Sequence, residues 1–340
     1  MGSATINAHK EALLLHTFIP LPRIRCPLNA QNLKRTTGVV FGQEDALMQT
    51  ERPSPRFTDI DLWTPNDILE GMLGGQFAAV AAVRAALPRI EGAGLAMEGR
   101  LRGKGRIVYA GAGTSGRLAV QDGAELMPTF GWPNDRLLLL IAGGDEAMVR
   151  AVEGAEDQVG HAAELVRYHA ICPDDALVAV AASGTTPFTL ACLREASRRG
   201  ALTVGIANNT ETPILAEANH GIFLDTGAEP IAGSTRMNAG TAQRIALNLL
   251  STLLMIRLGR VYRGLMVDLQ ATNLKLTKRK KDMLLYLTGK SQGDVQDALL
   301  LAGGSVKIAL LLLHGCDVKT AEALLHRSGG QLRMAIEALR

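Results

Sequence analysis

The stretch Arg106 to Gly131, RIVYAGAGTSGRLAVQDGAELMPTFG, constrains the chain more than any other. A short apolar run, Ile107 to Ala110, empties into Gly111-Ala112-Gly113-Thr114-Ser115-Gly116, after which Leu118, Val120 and Leu126 fall at helical spacing. The stretch therefore reads as strand, glycine-rich turn and helix. Such a turn is an anion site: glycines let the backbone approach a ligand, the unpaired N–H groups of the first helical turn point at it, and hydroxyls add donors. Gly113, Thr114, Ser115 and Gly116 are the expected contacts, and a phosphate is the expected guest.

Five apolar runs can be read as strands: Arg106 to Gly113, Leu137 to Gly144, Ala176 to Gly184, Leu202 to Asn209, and Gly221 to Gly227. Segments 117–127, 146–169, 187–199 and 211–219 have helical spacing and are long enough for crossovers, so strand and helix alternate. Near-continuous apolar strands of this kind predict an α/β fold: a five-stranded parallel sheet sandwiched by helices, with ligands outside the strands' carboxyl ends. Ahead of the sheet, Thr64-Pro65-Asn66-Asp67 marks a helix start, and the helix should end before Gly92 and Gly94. Behind it, the basic run Lys275 to Lys281 reads as a solvated connector, and residues 282–340 as a small helical domain broken at glycines. The expected organisation is an extension (1–47), an N-terminal helical segment (48–100), the sheet domain (101–275) and a C-terminal helical domain (276–340).

At 340 residues and 47% apolar content the chain can bury a sizeable core, and a net charge of +3 makes no case for nucleic acid. The most apolar window, Ile245 to Leu258, is interrupted by Asn248, Ser251, Thr252 and Arg257 and falls short of the roughly 20 apolar residues of a membrane span. Cys26, Cys172, Cys192 and Cys316 lie far apart, as reduced thiols of a cytoplasmic protein would, and the histidines show no metal spacing.

Gly111-x-Gly113-x-x-Gly116 also fits a dinucleotide fingerprint, with Asp145 placed to meet a ribose. A second hydroxyl-rich loop weighs against that reading. Ser183-Gly184-Thr185-Thr186-Pro187 ends the third strand and opens a helix, and two such loops suit one phosphate held from several sides, with a sugar lying across the sheet. A third hydroxyl pair, Ser234 and Thr235, with Arg236, stands ahead of a long apolar helix whose N-terminus is expected to meet an anion.

GAGTSGRLAVQDGAELMPTFG, IAGGDEAMVRAVEGAED, AASGTTPF, GSTRMNAGTAQR and LMVDLQATNLKL together resemble the N-acetylmuramic acid 6-phosphate etherases of the sugar isomerase (SIS) domain superfamily, over residues 48 to 340. The resemblance implies a SIS-type sheet. It also implies hydrolysis of the D-lactyl ether of N-acetylmuramic acid 6-phosphate to N-acetylglucosamine 6-phosphate and D-lactate in peptidoglycan recycling, by a cytoplasmic homodimer without metal or organic cofactor. It assigns the acid/base to Glu125 and a second active-site acid to Glu156, with Glu153 a rival three residues earlier on what reads as one helix face.

An unactivated ether leaves poorly. The open-chain sugar, however, has an aldehyde that acidifies the C2 proton, so lactate can be eliminated from C3 and water added to the unsaturated aldehyde. One carboxyl can shuttle both protons if it is partly desolvated or close to another negative charge. Gly184, Thr185 and Thr186 join Ser183 as expected substrate contacts, and Arg117 is a candidate phosphate neutraliser. The sequence departs from the family pattern at Thr185, where an arginine is usual, at Phe188 for tyrosine, and at Asn238 for lysine. An aldose–ketose isomerase and a non-catalytic sugar-phosphate sensor are the alternatives. The first would release no lactate, and the second would bind without turnover.

Overall fold

Alternation of apolar strands with crossovers produces the sheet the sequence predicts. The structure, a computed structural model, describes residues 48–271 and 273–339; the expected extension at 1–47 lies outside them. β1 (Ile107–Gly111), β2 (Leu137–Ile141), β3 (Ala176–Val180), β4 (Leu202–Ala207) and β5 (His220–Phe223) form one sheet in the order β2-β1-β3-β4-β5, with every neighbouring pair parallel. β1, β3 and β4 are buried along their whole length, as strands covered on both faces must be.

Alternate side chains of each strand feed different layers. Ile107 and Tyr109 join a core built with α1 (Pro65–Leu101), α2 (Gly113–Ala124) and α7 (Asn238–Arg257). Val108 and Ala110 join the opposite core, built with α4 (Val159–Tyr168), α5 (Pro187–Arg198) and the one-turn α6 (Pro213–Glu217). α3 (Leu126–Phe130) continues from α2. The chain ends in a hairpin of β6 (Val261–Tyr262) and β7 (Leu265–Met266) and five helices: α8 (Leu274–Thr288), α9 (Gln292–Leu301), α10 (Val306–Leu313), α11 (Val318–Arg327) and α12 (Leu332–Glu337). These helices have their own core, which also takes in Val267 and Leu269. Side chains of Asn273, Ser291, Ser305 and Asp317 cap the starts of α8 to α11.

Four local expectations are corrected. The first helix does not stop at Gly92: α1 runs through Pro88, Gly92 and Gly94, because a Cβ at Gly94 would lie 2.9 Å from Leu253 of α7 and only small residues allow the two helices to pack. The segment 146–169 is not one helix. It breaks into 3-10 turns at Gly144–Met148 and Ala155–Asp157 ahead of α4, with Gly154 between Glu153 and Glu156 in the left-handed region at φ +67°, so these two acids do not share a helix face. Pro128, which has no N–H to donate to Ala124, separates α3 from α2 and leaves Glu125 at the elbow. The basic run forms part of α8, with Lys280 donating to the Gly304 carbonyl at 2.8 Å, so it is helical where a connector was expected.

The sheet's amino edge is tied by Asp175. Its carboxylate accepts from the backbone N, Nε and Nη2 of Arg106 and from the Cys172 N–H. Burial pushes the Asp175 carboxyl up, and its hydrogen bonds with Arg106 outweigh this and hold it below the ordinary value. A carboxyl depressed in the folded state stabilises the fold above its unfolded pKa and loses that contribution as pH falls through the folded value. Asp175→Asn should therefore lower stability by ~3 kcal/mol at pH 7. Urea midpoints measured from pH 7 down to acid should show that gap closing below about pH 4.

Candidate functional site

Every loop predicted to hold the ligand except the Glu125 elbow lies at the carboxyl edge of the sheet. At the end of β1 the turn is close enough that a Cβ on Gly111 would sit 2.8 Å from Gly116 Cα, and one on Gly116 2.9 Å from the Gly111 carbonyl carbon. The missing side chains let α2 start directly over the strand end, and Gly113 adopts φ +53° in the turn. No side chain caps α2, so none competes for its first-turn N–H groups. Thr114 is half-buried and Ser115 buried.

At the end of β3, Ser183 Oγ accepts from the Thr185 N–H at 3.2 Å and lies 3.2 Å from Thr186 Oγ1. Gly184 turns this loop at φ +70°, with Thr212 filling the space where a Cβ would go. Thr185 also borders an apolar groove of about 320 Å³ between α4 and α5, which reaches Arg194 and Arg198.

The loop between β5 and α7 departs from expectation. The N-terminus of α7 does not wait for an anion, because the fully buried carboxylate of Glu229 accepts from the N–H groups of Asn238 and Ala239, both at 2.9 Å. Burial pushes the Glu229 carboxyl up, and the two N–H donors offset only part of that. Ser234 and Thr235 are half-buried and Arg236 exposed. A Cβ on Gly240 would lie 3.2 Å from the Thr235 carbonyl and 3.6 Å from Thr114 Cγ2, so the Ser234-Thr235 loop and the first glycine turn are neighbours. Asn238 faces away from both: its Oδ1 accepts from Gln76 of α1 at 3.1 Å, in the seam between α1 and α7.

Several residues of this edge carried no recognisable motif. Thr50 is buried; its N–H donates to Asn209 Oδ1, and its hydroxyl and carbonyl accept from Asn209 Nδ2 and the Gly233 N–H. Asn208 accepts from Gln243 of α7 at 2.9 Å. The only sequence signal for these contacts is the pair of asparagines closing the fourth apolar run.

The acids are separated. Glu156 is exposed in the 3-10 turn that packs by Ala155 beside α5, on the same edge as the hydroxyl loops. Glu125 is also exposed, but at the other end of α2: twelve residues at 1.5 Å rise place it about 18 Å along the helix from Gly113. Within one chain the structure brings together Gly113 to Gly116, Ser183 to Thr186, Ser234 and Thr235, with Glu156 on their edge, and does not bring Glu125 to them. Arg117 is turned aside, donating to the carbonyls of Ala147 and Arg150 at 2.7 and 3.1 Å, which pins the turn after β2 against α2.

Among the described residues no group of His, Cys, Asp and Glu is arranged to hold a metal ion. Burial pushes the Cys192 thiol up to about 12, which keeps it an inert core residue.

The glucokinase regulatory protein N-terminal SIS domain family matches residues 95–197, and the SIS domain family residues 154–253. The N-acetylmuramic acid 6-phosphate etherase of Deinococcus radiodurans is 47% identical over 289 residues, which cover 85% of this chain and 95% of that protein. The etherase of Streptomyces avermitilis is 44% identical over 292 residues, covering 86% and 94%. Among solved structures, a phosphoheptose isomerase from Francisella tularensis aligns with a TM-score of 0.43 and 20% identity over 57% of this chain and 100% of its own.

Gly116→Ala should force β1 and α2 apart, lowering stability by ~1–3 kcal/mol and weakening sugar-phosphate binding beyond what the folded fraction explains. Thermal melting read beside calorimetric titration separates the two effects.

Proposed function

The chain belongs to the N-acetylmuramic acid 6-phosphate etherase family, and from that membership we propose that it cleaves the D-lactyl ether of N-acetylmuramic acid 6-phosphate to N-acetylglucosamine 6-phosphate and D-lactate. The observation that carries this reading is identity of 40–47% with etherases along nearly their whole length. The convergence of three hydroxyl-bearing loops at one sheet edge supports it. Gly113, Thr114, Ser115 and Gly116, then Ser183 to Thr186, then Ser234 and Thr235 hold the ester phosphate and the sugar. The open-chain aldehyde acidifies C2, a carboxylate takes that proton, lactate leaves from C3 as its ether oxygen is protonated, and water adds to the double bond. Glu125 is the acid/base and Glu156 assists from the edge it shares with the hydroxyl loops.

Glu125 lies a helix length from the first glycine turn of its own chain, farther than one amino sugar reaches, so it acts on substrate held by a second copy. α1 supports a homodimer of this kind: Leu69, Leu73, Phe77, Val80 and Leu87 recur at helical spacing and are exposed, Phe77 to 69%. α7 adds Leu249 and Ile256. A stripe of this length on a single chain is an interface signature. Burial in such an interface also supplies the water exclusion that a proton-donating carboxyl needs. The enzyme works in the cytoplasm, in peptidoglycan recycling.

Incubation with N-acetylmuramic acid 6-phosphate in heavy-oxygen water should release unlabelled D-lactate and place the label at C3 of the amino sugar. Interconversion of aldose and ketose without lactate would support an isomerase, and binding without turnover a sensor. Glu125→Gln should abolish lactate release while retaining affinity. Mixing that variant with Ser183→Ala should restore about a quarter of wild-type sites, since half the dimers formed at random are mixed and each has one intact site. If the mixture stays inactive, Glu125 does not act across subunits.

A further inference from the structure

A cation on α7 has a buried nitrogen with nothing to bind. Arg244 follows Gly240 by one turn, and Gly240 abuts Thr114 and Leu118 of α2. One turn after Arg244 comes Asn248, whose side-chain amide donates to Asp122 Oδ1, close to the end of α2. The two helices thus run side by side in the same direction, and Arg244 faces α2 between the glycine turn and the elbow at Glu125. Its Nε donates to Asn248 Oδ1 at 3.1 Å, drawing the guanidinium toward the elbow. Asp122 is buried and accepts from the hydroxyls of Tyr109 at 2.7 Å and Ser251 at 3.2 Å, so the relay from Asp122 through Asn248 to Arg244 is fixed by β1, α2 and α7 together. Arg244 Nη1 is closed to water and has no acceptor; among the described residues it is the one cationic atom in that condition. Arg244 as a residue is only half-buried, so it is not sealed inside the core.

A planar, oriented guanidinium short of an acceptor is matched by a carboxylate, whose two oxygens fit its fork. On the etherase reading, on which this inference rests, the substrate has two anionic groups. The hydroxyl loops take the phosphate. The lactyl carboxylate sits on the carbon that bears the ether oxygen, so whatever binds it must lie beside the acid that protonates that oxygen. Arg236 does not meet this condition, because it precedes α7 with Ser234 and Thr235 at the phosphate end. Arg244 does, and it shares a seam with the Glu125 of its own chain, so the pair stays together whichever subunit holds the phosphate. We propose that Arg244 binds the lactyl carboxylate, with Asp122 and Asn248 as positioning residues that set its pose.

The test compares two ligands that differ in the lactyl group. For Arg244→Gln, the KM for N-acetylmuramic acid 6-phosphate should rise ~10-fold or more, while the calorimetric Kd for N-acetylglucosamine 6-phosphate, which lacks the carboxylate, should stay within about twofold of wild type. Arg244→Lys should restore part of the loss, and Asn248→Ala should show the same selectivity in milder form. Equal weakening of both ligands, or of neither, overturns the assignment. If Arg244→Gln does not fold, Arg244→Lys carries the same comparison. Lactate release by the wild type tests the etherase reading separately. If none is seen, direct Kd values for the two ligands still show whether Arg244 recognises the carboxylate.

Discussion

The close approach of Gly111 to Gly116 is the contact on which the carboxyl edge depends. A side chain at either position would hold α2 off the end of β1. Because both are bare, the first turn of α2 opens directly over the strand, beside the Ser183 loop and the Ser234-Thr235 loop. The arrangement concentrates backbone N–H groups and hydroxyls at one point without a single arginine or lysine having to be buried there. This suits a phosphate that must be held and then released.

The two helix starts at this edge serve different ends. α2 has no side-chain cap and leaves its donors to a ligand, whereas Glu229 reaches back to cap α7 from inside the protein. A buried carboxylate at the second helix closes an anion site that would otherwise compete with the first, and it ties the loop between β5 and α7 to the start of α7. The same economy explains position 238. Its backbone N–H serves Glu229 and its side chain serves Gln76 of α1, so the asparagine is part of the α1–α7 seam. Thr185, by contrast, stays in the hydroxyl-rich loop after β3, where its N–H donates to Ser183 Oγ.

α7 links the parts of the proposed reaction. Its N-terminus steadies the phosphate loops, its middle aligns Arg244 and Asn248 with α2, and its outer face adds Leu249 and Ile256 to the apolar stripe of α1. The composite site proposed between two copies would therefore use the same helix for binding, positioning and association.

Much of this could be read from the residues alone. Apolar runs closed by glycines specify parallel strands, because a strand buried on both faces needs no polar alternation. Glycines followed by Thr114 and Ser115 specify an anion turn, because only bare backbone can pack that tightly. Local patterns could not say where α1 stops, since Gly92 and Gly94 both look like helix ends and only the packing of α7 against Gly94 shows otherwise. Nor could they say that Gly154 turns Glu156 away from Glu153, or that Pro128 parts α3 from α2 at Glu125. The Glu229 cap and the unpaired nitrogen of Arg244 arise from contacts between segments far apart in sequence. The reason is physical: periodicity and propensity act within a few residues, whereas burial, hydrogen-bond pairing and electrostatic surroundings exist only once distant segments share the same space.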